Sequence, residues 1–239
     1  MFDLLRTPCG LHPGTAVFEV GPGTGKATRE LLRMGADPLT LVEPDRRMVR
    51  FLAKTLRPDG ARVTYRMRPF ETVTLPAGQF DLGVAASSFH WMPERLALRK
   101  VGRSLRPGGW WAAWNTHHAD PYRPDPFHRA IRALYRELFP SRRAIPYTRT
   151  RARRDHRDRI RALESVGKFD RILHEEIRWS ATLRTERVTA LWGSFSEIAT
   201  LPAPTRRRFL RGLTRIVDDR FGGEVRFPVL VPIYLARRA

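Results

Sequence analysis

Val17-Phe18-Glu19-Val20-Gly21-Pro22-Gly23-Thr24-Gly25 is a short apolar run that stops in a turn with glycine at every second position. Glycine has no Cβ and tolerates positive φ, so such a turn lets the backbone pass close to a ligand. Lys26 to Leu32 then reads as a helix. A strand, a glycine turn and a helix, in that order, open the nucleotide-binding part of an α/β sheet. Three kinds of turn compete. A dinucleotide fingerprint would place a third glycine where Lys26 stands. A phosphate loop would need its first glycine at Val20 and its magnesium-binding hydroxyl at Ala27. The pattern Glu-x-Gly-x-Gly-x-Gly is met in full by Glu19, Gly21, Gly23 and Gly25.

Further runs follow at the spacing of such a sheet. Leu39-Thr40-Leu41-Val42 ends in Glu43, eighteen residues after Gly25. An acid about 20 residues past the turn can accept both hydroxyl protons of a ribose; otherwise Glu43 is a solvated residue at a strand end. Arg62 to Arg68 leads into Pro69-Phe70-Glu71. Phe80 to Ser87 leads into Ser88-Phe89-His90-Trp91. Leu105-Arg106-Pro107-Gly108-Gly109 leads into Trp110-Trp111-Ala112-Ala113-Trp114. Helical segments near 27–33, 46–56 and 94–105 alternate with these runs. Alternation of this kind builds a mostly parallel sheet with helices on both faces and its ligands at the C-terminal strand edge.

Taken together, from about residue 11 to residue 115, these pieces resemble the class I S-adenosylmethionine-dependent methyltransferases. The Phe89-His90-Trp91 ending resembles the small-molecule type, the methyltransferase type 11-like group that includes trans-aconitate methyltransferase relatives. The resemblance implies a Rossmann-like α/β fold of seven strands, with the last strand antiparallel between the fifth and sixth. It implies S-adenosylmethionine as cofactor, held by Glu19, Gly21, Gly23, Thr24, Gly25, Glu43, Pro44, Phe70 and Ala85. Glu19 would face the cofactor's amino group and Glu43 its ribose. Many family members carry an acid where Pro69 stands, so Phe70 is either a purine contact or an ordinary core aromatic.

S-adenosylmethionine carries an already activated methyl group, so a protein of this class must chiefly align the acceptor and exclude water. His90, after the fourth strand, is the candidate base; its other role would be to shape the pocket by hydrogen bonding. Trp91, Trp114 and Asn115 are the candidate substrate wall. His117-His118 invites a metal, but no further ligands stand at suitable spacing and neighbours in a strand face opposite ways, so no metal is expected. The expected acceptor is a small molecule, methylated on oxygen, nitrogen or a carboxylate.

The alternatives are an RNA methyltransferase and a non-catalytic member that binds the cofactor or a partner. The net charge of +20 favours the first. However, the sequence lacks the Asn-x-Pro-Tyr type clamp of RNA adenine dimethyltransferases after its fourth strand. In addition, only four of the 44 basic residues are lysine, the imbalance a GC-rich coding sequence produces.

The length of 239 residues suits one domain with elaborations, spanning 1–239. Within it, 120–168 reads as an inserted helix followed by a mobile connector. Ser141 to Arg161 carries nine arginines and no apolar periodicity. Residues 184–220 read as a helical elaboration between strands six and seven. Cys9 is the one cysteine, no run is long enough to span a bilayer, and no signal peptide is visible, so a soluble, cytoplasmic protein is expected. The strand that leads into the glycine turn begins close to Met1, from which an open cofactor site with weak affinity is expected. The oligomeric state is not legible.

Overall fold

The computed structural model describes residues 2–138 and 148–239. In chain order the elements are α1 (Phe2–Arg6), β1 (Thr15–Val20), α2 (Lys26–Arg33), β2 (Ala36–Val42), α3 (Arg46–Thr55), β3 (Val63–Arg66) and β4 (Phe80–Ala86). A 3-10 turn follows (Phe89–Trp91), then α4 (Glu94–Ser104), β5 (Leu105–Trp114), α5 (Pro126–Leu138), α6 (Arg149–Ser165), β6 (Phe169–Arg184), α7 (Thr185–Ser194), α8 (Ser196–Ala199), α9 (Ala203–Phe221) and β7 (Glu224–Arg238). Where one domain was expected, contacts gather into two compact units, residues 1–116, 156–177 and 231–239, and residues 117–155 and 178–230.

The sheet runs β3-β2-β1-β4-β5-β7-β6. β1 to β5 are parallel, and β7 pairs antiparallel with β5, Trp114 opposite Ile233 and Trp110 opposite Arg237. This is the Rossmann-like order the sequence implied. β1 is covered on both faces, as a central parallel strand must be, and five of its six residues are buried. The order reverses between β1 and β4, since the chain winds outward to β3 and then returns. That reversal opens a crevice beyond the C-terminal ends of these two strands, where ligands of open α/β sheets bind. The glycine turn follows β1 and the Ser87–Trp91 segment follows β4, so the fold brings both to this crevice.

The core of the first unit is aromatic. Phe18 stacks on Phe70 and on Trp111 at centroid distances of 6.2 and 6.0 Å, and meets Phe80 edge-on at 5.1 Å. Phe18 crosses over Gly83, its partner on β4, and a Cβ there would lie 2.3 Å from the Phe18 ring. Gly83 is therefore a packing glycine in an ordinary strand, different in kind from the glycines of the turn.

The second unit packs α7 and α5 against α9. Phe127, Trp192 and Phe227 form its aromatic centre, with Phe127 5.2 Å from Trp192 and 5.6 Å from Phe227. His117 and His118 fall in this unit. His117 bridges to Leu230 and His118 stacks on Phe195. α9 ends on Gly222 in the left-handed conformation, whose N–H donates to Asp218 O.

The arginine-rich connector differs from expectation. Residues 139–147 lie outside the described residues, but from Arg149 to Ser165 the chain is a helix. Its buried residues are as sparse as Ala152 and Leu163, too few to show a period in the sequence. Long-range contacts compensate. Leu163 joins the core of the first unit, and His156 Nδ1 lies 3.2 Å from the Tyr234 hydroxyl. Among the described residues, no helix is long and apolar enough to cross a membrane.

Candidate active site

The turn after β1 has three left-handed glycines in sequence, Gly21, Gly23 and Gly25, at φ 64, 54 and 78°. Each is needed for a different reason. A Cβ on Gly21 would lie 2.5 Å from the Ser88 Cβ, so this glycine admits the loop after β4. A Cβ on Gly25 would meet Leu52 of α3 at 2.6 Å, so this one admits helix packing. A Cβ on Gly23 would meet nothing within 4 Å, so here the turn borders open space.

Glu19, at the end of β1, is fully buried. Its Oε2 accepts a 2.7 Å hydrogen bond from Thr28 Oγ1 on α2, while its buried Oε1 has no hydrogen-bond partner. Burial pushes the carboxyl up to about 7, the Thr28 hydroxyl opposes this, and the Glu43 charge adds to it. A buried carboxylate oxygen without a donor is costly, and a cationic amine would relieve it.

Glu43 is nearly buried at the end of β2. Its Oε2 accepts from Gly23 N at 3.3 Å and its Oε1 from Asp45 N at 3.0 Å. Each oxygen retains a lone pair, so a ribose diol can still be accepted by the pair. The same hydrogen bonds tie the acid to the middle of the glycine turn, 20 residues away in sequence. Thr24 and Pro44 are exposed on the two segments.

Two of the expected cofactor contacts lie in the core. Phe70 is only 2% exposed, stacked on Phe18 and with the Lys100 ammonium 5.5 Å from its centroid. Its packing is that of a core aromatic, the second of the two readings open to it. Ala85 is likewise fully buried and its methyl belongs to the core cluster. The remaining cofactor candidates, Glu19, Gly21, Gly23, Thr24, Gly25, Glu43 and Pro44, do gather around the turn.

On the β4 side, Ser87 holds a left-handed φ of 57°, uncommon for a residue with a side chain. Its N–H donates to Trp114 O at 2.8 Å and its Oγ accepts from Thr116 N at 3.2 Å, which over-determines the bend. Ser88 Oγ donates to Val20 O, closing the loop onto the glycine turn. The 3-10 turn then presents His90 and Trp91, their rings 4.9 Å apart, with Trp91 70% exposed. His90 lies beside the side chain of Asn115, which follows β5. Trp114 is buried, with Phe2 against it edge-on at 6.1 Å.

Partial burial pushes the His90 imidazolium below its ordinary value, the Asn115 side chain opposes this, and the Arg159 charge adds to it. His90 is thus held neutral near pH 7, the form that accepts a proton. Arg159 comes from α6, lies over the Phe89 ring at 5.3 Å and pairs with Glu94 at 2.5 Å. Burial holds the Glu94 carboxyl above the ordinary carboxylate range in spite of that partner.

Sequence reasoning missed Thr28, Ser88 and Arg159. Thr28 had one signal, a hydroxyl amid the apolar face of the helix after the turn. Ser88 and Arg159 act through contacts 68 and 65 residues away along the chain, and nothing local marks them. Among the described residues, no group of three or more His, Cys, Asp or Glu side chains could hold a metal.

Comparison with known proteins agrees with this geometry. Residues 17–109 match the model of a methyltransferase domain family. Uncharacterized methyltransferases of Mycobacterium bovis and Mycobacterium tuberculosis are 32% identical over 101 residues, 42% of this chain and 40% of theirs. The chain thus spans less than half the length of these relatives. Over nearly the whole chain the fold is similar to that of a putative type II methyltransferase from Anaeromyxobacter dehalogenans (TM-score 0.60, 22% identity, 99% of this chain and 94% of that one). It is also similar to a geranyl diphosphate methyltransferase solved with S-adenosylmethionine (TM-score 0.53, 16% identity, 99% and 84%). Residues 17–109 are thus similar to a methyltransferase domain, and the chain has the fold of the class I S-adenosylmethionine-dependent methyltransferases.

Proposed function

We propose that this protein binds S-adenosylmethionine at the crevice beside β1 and transfers its methyl group to a small-molecule oxygen, nitrogen or carboxylate. The observation that carries the reading is the partnerless, fully buried Oε1 of Glu19 beside three left-handed glycines. An ammonium is the ligand group that this oxygen fits. Glu43 would accept the ribose hydroxyls, and the open space at Gly23 would admit the cofactor's backbone-contacting part.

When bound, the cofactor supplies a methyl group already activated on a sulfonium. The chain's own residues do the rest. Ser87 and Ser88 fix the loop that carries His90, and Asn115 orients the imidazole. Neutral His90 takes the proton from a hydroxyl or amine acceptor; a carboxylate acceptor needs no base. Trp91 offers an exposed aromatic face to cover the acceptor and exclude water.

Two facts support a small molecule over RNA. Arg159, the cation that acts on His90, is already paired with Glu94 rather than left to a phosphate backbone. A similarly folded protein is a geranyl diphosphate methyltransferase, which acts on a small molecule. Calorimetric titration with S-adenosylhomocysteine tests the cofactor half of the proposal. One site per chain that is lost in Gly21→Val supports it, and absence of binding to the wild-type chain overturns it.

A further inference from the structure

At the opposite edge of the sheet lies a cavity of about 390 Å³, within the first unit and away from the glycine turn. Its placement follows from topology. Arg238 is the last residue of β7 and donates to the carbonyl of Leu105, the first residue of β5. The cavity therefore sits where the parallel strands begin, whereas the crevice lies where they end.

Five of its seven lining residues are basic, and Leu96 and Gly102 complete the wall. Arg99 and Arg103 stand one turn apart on α4, Lys168 precedes β6, and Arg238 closes the floor. No Asp or Glu lines it among the described residues. Five other arginines of this unit do meet carboxylates: Arg47 with Asp45, Arg62 with Asp37, Arg106 with Asp81, Arg159 with Glu94 and Arg237 with Asp170. The cations of the cavity have been brought together without that compensation.

Two details show that the crowding is built into the packing. Gly102 has no room for a Cβ, because Lys168 Cβ lies 2.9 Å from where it would be, and so Lys168 rests directly on α4. Lys100 is fixed in the wall by the carbonyls of Phe70, Glu71 and Val73 at 2.6, 2.6 and 2.8 Å. Burial lowers the Lys100 ammonium below its ordinary value and the charge of Arg103 adds to this, with Glu71 opposing. Like charges gathered around one cavity repel, and an anion between them offsets that repulsion.

We propose that this cavity is a second ligand site, for a small polyanion of the charge class of di- and triphosphate groups. Its volume lies within the range of small-molecule sites, about 300–1,000 Å³. Guanidinium groups such as Arg99 and Arg103 bind phosphate oxygens in bidentate fashion, and Lys168 adds a point charge. An occupant here could not reach His90, so it would stabilise or tune the protein without being its methyl acceptor. This site stands whether or not the methyl-transfer reading does.

Inorganic tripolyphosphate, titrated calorimetrically into the full chain at fixed ionic strength, is the test. Saturable one-site binding is expected, weakened about tenfold or more in Arg99→Glu/Arg103→Glu, where two guanidinium–phosphate contacts are lost. Arg207→Glu/Arg211→Glu makes the same charge change on α9, on exposed residues that do not line the cavity, and should leave the affinity within about twofold. Lys168→Met, which removes one charge, should weaken binding about threefold to tenfold and guards against a folding defect in the double variant. Equal losses in the two double variants, or no saturation, would overturn the site in favour of diffuse charge. Tighter binding of a single-stranded RNA oligonucleotide than of tripolyphosphate, lost in Arg99→Glu/Arg103→Glu, would overturn it in favour of a nucleic-acid surface.

Discussion

Binding of S-adenosylhomocysteine should depend on pH through one group, Glu19. In the free protein its carboxyl sits at about 7, raised by burial. An ammonium against Oε1 favours the charged form, so binding should drive the proton off. If only the ionised form accepts the ligand, the apparent Kd scales as one plus the ratio of protonated to ionised Glu19. That factor is about 11 at pH 6, about 2 at pH 7 and about 1.1 at pH 8. Affinity should therefore improve about tenfold from pH 6 to pH 8, and about 0.9, 0.5 and 0.1 protons should be released at the three values. Calorimetry in two buffers of different ionisation enthalpy reads both quantities. Glu19→Gln should bind more weakly and show no release. The same group fixes the sign of a stability effect. Its folded value lies above its ordinary 4.5, so the folded state carries no penalty below that pH, and the penalty grows until about 7. Relative to wild type, ligand-free Glu19→Gln should gain about 3 kcal/mol as pH rises across that window. A flat affinity between pH 6 and 8, or proton uptake on binding, would refute the role of Glu19.

Glu43→Gln should weaken S-adenosylhomocysteine about 10-fold or more by loss of charge-assisted bonds to a diol, and should also shift the pH profile of binding downward, because the Glu43 charge helps to raise Glu19. Gly83→Ala drives a methyl group into the Phe18 ring and should cost about 1–3 kcal/mol in chemical denaturation, with the m-value unchanged. His90→Gln should lower turnover of a hydroxyl or amine acceptor about 100-fold or more while leaving S-adenosylhomocysteine affinity within twofold. Arg159→Met removes a positive neighbour, so the imidazole of His90 should titrate at higher pH by nuclear magnetic resonance; an unchanged or lower value would exclude the Arg159 contribution.

What could be read from the sequence was what the backbone enforces locally. Gly21, Gly23 and Gly25 announce a turn because few other residues adopt those dihedrals. Glu19 and Glu43 were legible as acids at strand ends, the edge at which ligands of open α/β sheets bind. The burial of Phe70 and Ala85 was not legible because burial is a property of the packed sheet: the same Phe70 beside a crevice or under Phe18 leaves one sequence pattern. α6 was hidden because its helix is held by distant partners, Tyr234 among them, and by too few apolar residues to show a period. The division into two units was equally invisible, since α6, β6 and β7 each pass from one to the other without any break in composition.

The most direct test of methyl transfer to a small molecule uses S-adenosylmethionine labelled on its methyl group, incubated with the protein and a cell extract divided into small-molecule and RNA fractions. Label in the small-molecule fraction, reduced about 10-fold or more by Glu43→Gln at subsaturating cofactor, is the expected result. Label in the RNA fraction, or no transfer to either by a protein that binds the cofactor, would contradict it.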